Sequence, residues 1–243
     1  MVWDFDGTLV DSRHKNLSAT RTILEQLGSR RPEDIESLSS LDSYERAALR
    51  SPNWRELYVR EFGLTVEETD QAGHLWEQVQ FDDPTPPMFY DGIEEVLAQL
   101  SPLPQGVVSQ NSALLIDRVL SQGGLRDHFG PIIGYDDVGL EQQKPHPEGL
   151  LMSLERMDLF ADCERGDVVL FVGDHEVDAG CAHRAQVWLE EQGRPLSIRS
   201  VAAVYGRRAD VSGWKVEPHH EAHRTSDVLD LVRSLKKSPG SDW

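Results

Sequence analysis

The spacing of apolar residues changes character along the chain. From Ser12 to Leu27, the residues Leu17, Thr20, Ile23, Leu24 and Leu27 fall near one face of a helix, and Gly28 ends it. Residues 30–80 continue as polar, helix-favouring stretches (SLDSYERAALR, NWRELYVREFG, TVEETDQAGHLWEQVQ) without strand alternation. An all-helical segment is therefore predicted over 13–82. Asp83-Pro84-Thr85-Pro86-Pro87 reads as a stiff return linker.

Beyond the linker, apolar strands alternate with amphipathic helices. Asp91-Gly92 precedes a helix, IEEVLAQL, and strand-like GVVSQ follows at 106–110. A helix at 113–122, a short strand at 131–135 and a helix from Pro147 to Met157 come next. The apolar run at 167–173 predicts a buried strand, 177–185 a helix, and Ile198 to Tyr205 the last strand. Met1 to Trp3 is short for a strand but apolar, and leads straight into Asp4. Such alternation predicts an α/β fold whose parallel sheet is covered on both faces. Residues 236–243 read as a frayed tail.

Composition narrows the function classes. The 243 residues carry a formal net charge of −18, which disfavours nucleic acid as a partner. The longest clear apolar run, Val168 to Val172, is far below the roughly 18 residues of a membrane span. The start of the chain lacks the basic-then-apolar pattern of a signal peptide. Cys163 and Cys181 have neither CxxC nor zinc-like spacing and are expected to be free thiols, which fits a cytoplasmic location.

Ligands of open α/β sheets bind beyond the carboxyl ends of the strands. Four polar sites fall there: Asp4 with Asp6, Ser109, the stretch before Lys144, and Asp174 with Asp178. Asp4 and Asp6 repel each other, which a fold does not require but a metal or acid–base chemistry would. An EF-hand reading of D-x-D-G fails, because the twelfth position is Lys15 rather than Glu. Asp174 and Asp178 lie four apart at a helix start, where they can share one face or cap the helix. Ser109 can cap a helix or, with a helix N-terminus, hold a phosphate oxygen; Asn111 and Ser112 are equally good caps. Lys144, one of five lysines, is held between restricting prolines, Pro145 and Pro147. His175 and Glu176 read as exposed loop residues, and the histidines of EPHHEAHR (217–224) as a solvated loop.

In their order and spacing these sites resemble the four motifs of the haloacid dehalogenase superfamily: DFDGTLVDS, Ser109 in VVSQNS, Lys144 in KPHP, and GDHEVD. FYDGIEEVLAQL resembles the segment re-entering the core in phosphoglycolate-phosphatase-like members, and the likeness extends from Met1 to about Tyr205. It implies a Rossmann-like α/β core (1–12 and 83–235), an inserted all-helical cap (13–82) and a flexible tail (236–243). It also implies a phosphomonoesterase acting on a small phosphorylated metabolite. Asp4 would be the nucleophile, forming an aspartyl-phosphate, and Asp6 the general acid and base. Ser109 and Lys144 would bind the phosphoryl group. Mg²⁺ would be held by Asp4, the backbone carbonyl of Asp6 and Asp174, with Asp178 orienting Lys144 or a metal-bound water. The protein is expected to act as a monomer or homodimer. Having Asp6 separates the chain from dehalogenating and phosphonate-cleaving members, which depart from the pattern there.

Two departures accompany the likeness. The strand before Asp4 is short, and the fourth motif runs on to HRAQ and VWLEEQGRPLSIRS where an Ala-Gly pair is usual. Arg13, His14, Lys15 and Asn16 lie at the core–cap junction, where by analogy one of them contacts substrate. A sugar-phosphate mutase is the alternative enzyme; its members carry a histidine where this chain has Asn16. A catalytically idle interaction protein would have a broken motif.

Overall fold

The computed structural model describes residues 1–83, 85, 88–161, 163–207 and 211–236. Its contacts divide the chain into two units, one of residues 12–86 and one of residues 1–11 with 87–243. The linker read at 83–87 lies outside the described residues except for Asp83 and Thr85, and the tail does so except for Lys236.

The first strand, β1 (Val2–Trp3), precedes the helical unit. That unit carries α1 (Arg13–Leu27), α2 (Leu41–Arg50), α3 (Trp54–Arg60) and α4 (Val66–Asp82). The predicted helix in α1 forms, and Gly28 closes it in the left-handed conformation with its N–H on the Leu24 carbonyl. Side-chain caps set the other starts. Ser40, Asn53 and Thr65 accept from Ser43, Glu56 and Glu68 N–H groups, and Glu68 returns the bond to Thr65 N–H. Leu17, Ile23 and Leu24 pack with Leu38, Leu57, Tyr58 and Phe62 into a core of the unit's own.

The second unit is built on one sheet. Its elements are α5 (Ile93–Leu100), β2 (Gly106–Val108), α6 (Ala113–Gln122), β3 (Ile132–Ile133), α7 (Glu148–Arg156), β4 (Val168–Gly173) and α8 (Glu176–Glu191). They continue with β5 (Ser197–Ala203), α9 (Val204–Arg207), β6 (His220–Ala222) and α10 (Thr225–Lys236). Among the described residues six strands run parallel in the order β3-β2-β1-β4-β5-β6. Alternate side chains divide between the faces. Trp3, Val107, Leu170 and Val172 meet α5, α6 and α10, whereas Val2, Val108, Val169 and Phe171 meet α7 and α8. β1 is only two residues long but central, and both its residues are fully buried.

The structure corrects the predicted elements in three places. The strands expected at 106–110 and 131–135 stop at Val108 and Ile133. Past Val108 the chain turns into the start of α6, where the Asn111 carbonyl accepts from Tyr135 N–H. The helix expected at 177–185 runs on to Glu191, so the stretch QVWLEE of the unusual segment is additional helix. Gln186 on that extension accepts from Ile198 N–H at 2.7 Å, tying it to β5. Finally, β5 is not the last strand. His220–Ala222 adds β6 beside it, and α10 follows. Three residues with one buried apolar side chain carry little strand signal of their own; pairing with β5 creates the strand.

Candidate active site

Strand order reverses about β1, with earlier strands on one side and later ones on the other. That is the switch point where doubly wound sheets open a crevice. Asp4 follows β1, and its N–H donates to the Val172 carbonyl at 2.8 Å. The ladder thus extends one bond past the strand and anchors the residue. A tight loop follows: Gly7 has φ 80°, Gly7 N–H reaches the Val10 carbonyl at 2.9 Å, and the Leu9 and Val10 N–H groups reach the Phe5 carbonyl. On the adjacent strand, Asp174 follows the end of β4.

Asp178 is presented by the first turn of α8. Its Oδ2 accepts from His175 N–H at 3.1 Å, while His175 Nδ1 accepts from Val177 N–H at 3.2 Å. His175 is therefore the helix cap and half-buried, and Glu176 is the first helical residue, accepting from Lys215 N–H at 2.7 Å. Neither is the exposed loop residue expected. A Cβ on Gly173 would lie 2.3 Å from Asp178 Cγ, so the missing side chain makes room for this carboxylate.

Lys144 reaches the site from the turn before α7. Gln110 Nε2 donates to its carbonyl at 3.0 Å. Its Nζ lies 2.6 Å from Asp4 Oδ1 and 2.6 Å from Asp178 Oδ1, with all three side chains buried. Burial opposes the charge on Lys144, but Asp178 and Asp4 outweigh it and hold the ammonium above the usual lysine range. For Asp4 the balance goes the other way. Burial pushes its carboxyl up to about 8 against the pull of Lys144, and Asp178 and Asp174 push in the same direction. The ammonium is thus the firm charge, and Asp4 is the carboxyl that yields.

Suitably placed oxygens of Asp4, Asp174 and Asp178 all lie within 4.8 Å of one another. Three buried carboxylates against one ammonium leave an excess of negative charge. An all-oxygen donor set of this kind fits a hard divalent cation. Asp6 is not in this group. Its Oδ2 accepts from Asn111 Nδ2 at 3.0 Å, and its buried Oδ1 has no hydrogen-bond partner among the described residues.

Ser109, just beyond β2, is buried; its Oγ accepts from Asn111 N–H at 3.3 Å. Of the three candidate caps at 109–112, Ser112 performs the role, accepting from Leu115 N–H at 3.2 Å. Asn111 instead faces Asp6, a contact its residue type did not announce; its place two residues after Ser109 was the available signal. At 217–224, the loop reading is corrected by β6 and by His219, whose Nδ1 lies 3.0 Å from Ser200 Oγ. Both cysteines are free.

The sequence matches the model of haloacid dehalogenase-like hydrolases over residues 1–189. The chain belongs to this family. It is 29% identical over 201 residues to the phosphoglycolate phosphatase of Yersinia pseudotuberculosis, covering 76% of each chain. With phosphoglycolate phosphatase 1 of Pseudomonas aeruginosa it shares 28% over 222 residues, 87% of this chain and 77% of that one. A haloacid dehalogenase-superfamily hydrolase of subfamily IA from Geobacter sulfurreducens superposes with a TM-score of 0.61 at 25% identity, covering 95% and 94% of the two chains. A haloacid dehalogenase-like hydrolase from Streptococcus pneumoniae has the same fold, with a TM-score of 0.69 at 18% identity over 95% and 96%. The family hit, the sheet order and the separate helical unit agree on an α/β Rossmann-like core with an inserted helical cap. Among the described residues no helix is long and apolar enough to cross a membrane.

Proposed function

We propose that this hydrolase is a Mg²⁺-dependent phosphomonoesterase of small phosphorylated metabolites, working through an aspartyl-phosphate on Asp4. The observation that carries the reading is the Lys144 ammonium fixed between Asp4 and Asp178 in a buried acidic cluster at the switch point. Mg²⁺ held by Asp4, Asp174 and the Asp6 carbonyl would supply positive charge against the phosphate dianion. Asp4 attacks phosphorus in line, and the P–O bond to the leaving group breaks. Lys144 keeps a cation beside the nucleophile and meets charge on the phosphoryl oxygens, while Asp178 orients it. Asn111 N–H occupies an acceptor site of Ser109 Oγ, so the hydroxyl hydrogen can be given to a phosphoryl oxygen. Asp6 protonates the departing alkoxide and then takes a proton from the water that hydrolyses the aspartyl-phosphate.

Similarity to named phosphoglycolate phosphatases makes phosphoglycolate the first substrate to try. In this reading residues 13–82 form the substrate-selecting cap, the catalytic core comprises 1–12 and 83–235, and the enzyme works in the cytoplasm as a monomer or homodimer. The mutase alternative is disfavoured by Asn16, whose amide is engaged with Ser12 Oγ at 3.2 Å and Gln80 Nε2 at 3.0 Å. The idle-protein alternative is disfavoured because every motif side chain is present. The test is phosphate release from a metabolite panel with Mg²⁺ or EDTA, for wild type and Asp4→Asn. Release should require Mg²⁺ and fall by about 10³-fold or more in Asp4→Asn. A folded, Mg²⁺-loaded wild type that releases no phosphate from any ester would overturn the reading.

A further inference from the structure

We propose that Asn111 is the positioning residue of Asp6, fixing which carboxyl oxygen carries the proton that Asp6 delivers. The inference rests on the phosphatase reading above and extends it to a residue outside the motif set. Asp6 and Asn111 lie past the ends of neighbouring strands, β1 and β2, so the sheet itself brings them together.

The orientation of the Asn111 amide follows from hydrogen-bond chemistry. Ser112 N–H, which can only donate, points at Asn111 Oδ1 at 2.9 Å. The amide NH₂ must then face the other way, and it donates to Asp6 Oδ2 at 3.0 Å. Asn111 is also held by its backbone, with its N–H on Ser109 Oγ and its carbonyl accepting from Tyr135 N–H. Its side chain is buried, so water does not compete freely for these bonds.

A carboxyl oxygen that accepts an amide N–H is a poor place for the acid proton. Asp6 Oδ2 is so occupied, whereas Oδ1 is buried without a hydrogen-bond partner among the described residues. The acid form of Asp6 therefore carries its proton on Oδ1. In the first step that O–H bond breaks, the proton goes to the leaving alkoxide, and the P–O bond electrons stay with the alcohol oxygen. In the second step the same oxygen takes a proton from water as the water oxygen bonds to phosphorus and the P–O bond to Asp4 breaks, its electron pair returning to the Asp4 carboxylate and phosphate leaving. Without Asn111 both oxygens compete for the proton and the carboxyl rotates more freely, so the acid is less often aimed at the leaving group.

The test exploits leaving-group chemistry, because an alkoxide needs protonation and a nitrophenolate does not. The full chain with Mg²⁺ is assayed on phosphoglycolate and 4-nitrophenyl phosphate as wild type, Asn111→Ala and Asn111→Asp. kcat/KM reports the steps through departure of the leaving group. It should fall about thirtyfold for the alkyl ester and less than about threefold for the aryl ester in both variants. With the aryl ester, loss of the base step should also give a burst of nitrophenolate close to the enzyme concentration. In an Asp6→Asn background, adding Asn111→Ala should change kcat/KM for neither ester. An equal fall on both esters, no fall on either, or additive effects in the double variant would overturn the proposal. Asn111→Asp keeps the shape of the side chain and supplies the comparison if Asn111→Ala unfolds. A wild type inactive on these two esters and on every ester of the metabolite panel would remove the phosphatase reading and this proposal with it, a result distinct from an active wild type with insensitive variants.

Discussion

The two units bury different kinds of polar group. In the helical unit the deeply buried ones are neutral: Thr20, Thr69 and Gln80, with the phenol groups of Tyr44 and Tyr58. Thr69 bonds the backbone, Gln80 donates to the Asn16 amide oxygen, and Thr20 Oγ1 lies 3.3 Å from the Tyr58 hydroxyl and 3.5 Å from that of Tyr44. In the sheet unit the site buries Asp4, Lys144, Asp174 and Asp178, ionisable groups at the edge of an apolar core. A neutral hydrogen-bonded pair costs little to bury, whereas a carboxylate costs several kcal/mol unless paired. Architecture accounts for the first arrangement, while the second is intelligible only if the charges act on something.

The sharpest way to break this contrast is Lys144→Met. It removes the one ammonium between Asp4 and Asp178 and should cost about 3–5 kcal/mol at pH 8, with phosphate release lost. The sign of the pH dependence follows from Asp4. Its carboxyl is raised in the fold to about 8, so the unfolded chain ionises first, and burial of Asp4 weighs against folding increasingly as pH climbs from about 4 towards 8. Without the lysine this cost is larger, so urea melts of Lys144→Met against wild type should converge as pH is lowered towards 5. A loss of stability equal at both pH values would mean that the lysine contributes packing rather than charge.

Cys181 tests the same low-polarity surroundings with a neutral group. Burial pushes its thiol up to about 12, and its Sγ donates to the His146 carbonyl at 3.4 Å. At pH 8 its thiolate fraction should be roughly a thousandfold below that of an ordinary thiol. Alkylation should therefore modify Cys163 in the native protein and both cysteines in denaturant. The unfolded thiol ionises first, so this group also makes stability fall as pH rises from about 9 towards 12. Rapid native labelling of Cys181 at pH 8 would show that the site interior is more open than its burial indicates.

In the helical unit the effects should be smaller and confined to stability. Tyr58→Phe removes a buried hydroxyl and leaves Thr20 with its longer bond to Tyr44, a loss of about 1 kcal/mol in urea melts, with kcat within about twofold of wild type. Thr65→Ala removes the cap of α4 and should lower stability by about 0.5–1 kcal/mol, a Tm decrease of about 2–4 °C by calorimetry. Large losses of turnover in either variant would show that these hydroxyls do more than hold the unit together.

Local pattern disclosed much of this organisation. The helical periodicity at 13–27 and the apolar run at 168–172 needed no partner to be recognised, and the ends of the apolar strands pointed to Asp4, Ser109 and Asp174. The Lys144–Asp4 ion pair was not legible, because it joins positions far apart in sequence, and Asp178 as a partner of Lys144 was implied only by the family resemblance. β6 was invisible for a related reason: His220–Ala222 becomes a strand through β5, not through its own composition. α10 carries a signal of its own, Val228, Leu229 and Val232 on one face. Asn111 looked like a cap because its residue type suits capping; only the fold shows Ser112 taking that role and Asn111 turning to Asp6.

β1 has a consequence for how the molecule assembles. Its two residues pair with Gly106–Val107 and Phe171–Val172, more than a hundred residues away in sequence, with the whole helical unit interposed. Closing such loops costs entropy before any ladder bond compensates, and two residues offer few bonds in return. The helices of residues 12–86 rely on local contacts and can form early, whereas β1 can be held only once β2 and β4 stand beside its place. The backbone that carries Asp4 is thus held in place only by strands contributed from distant parts of the chain.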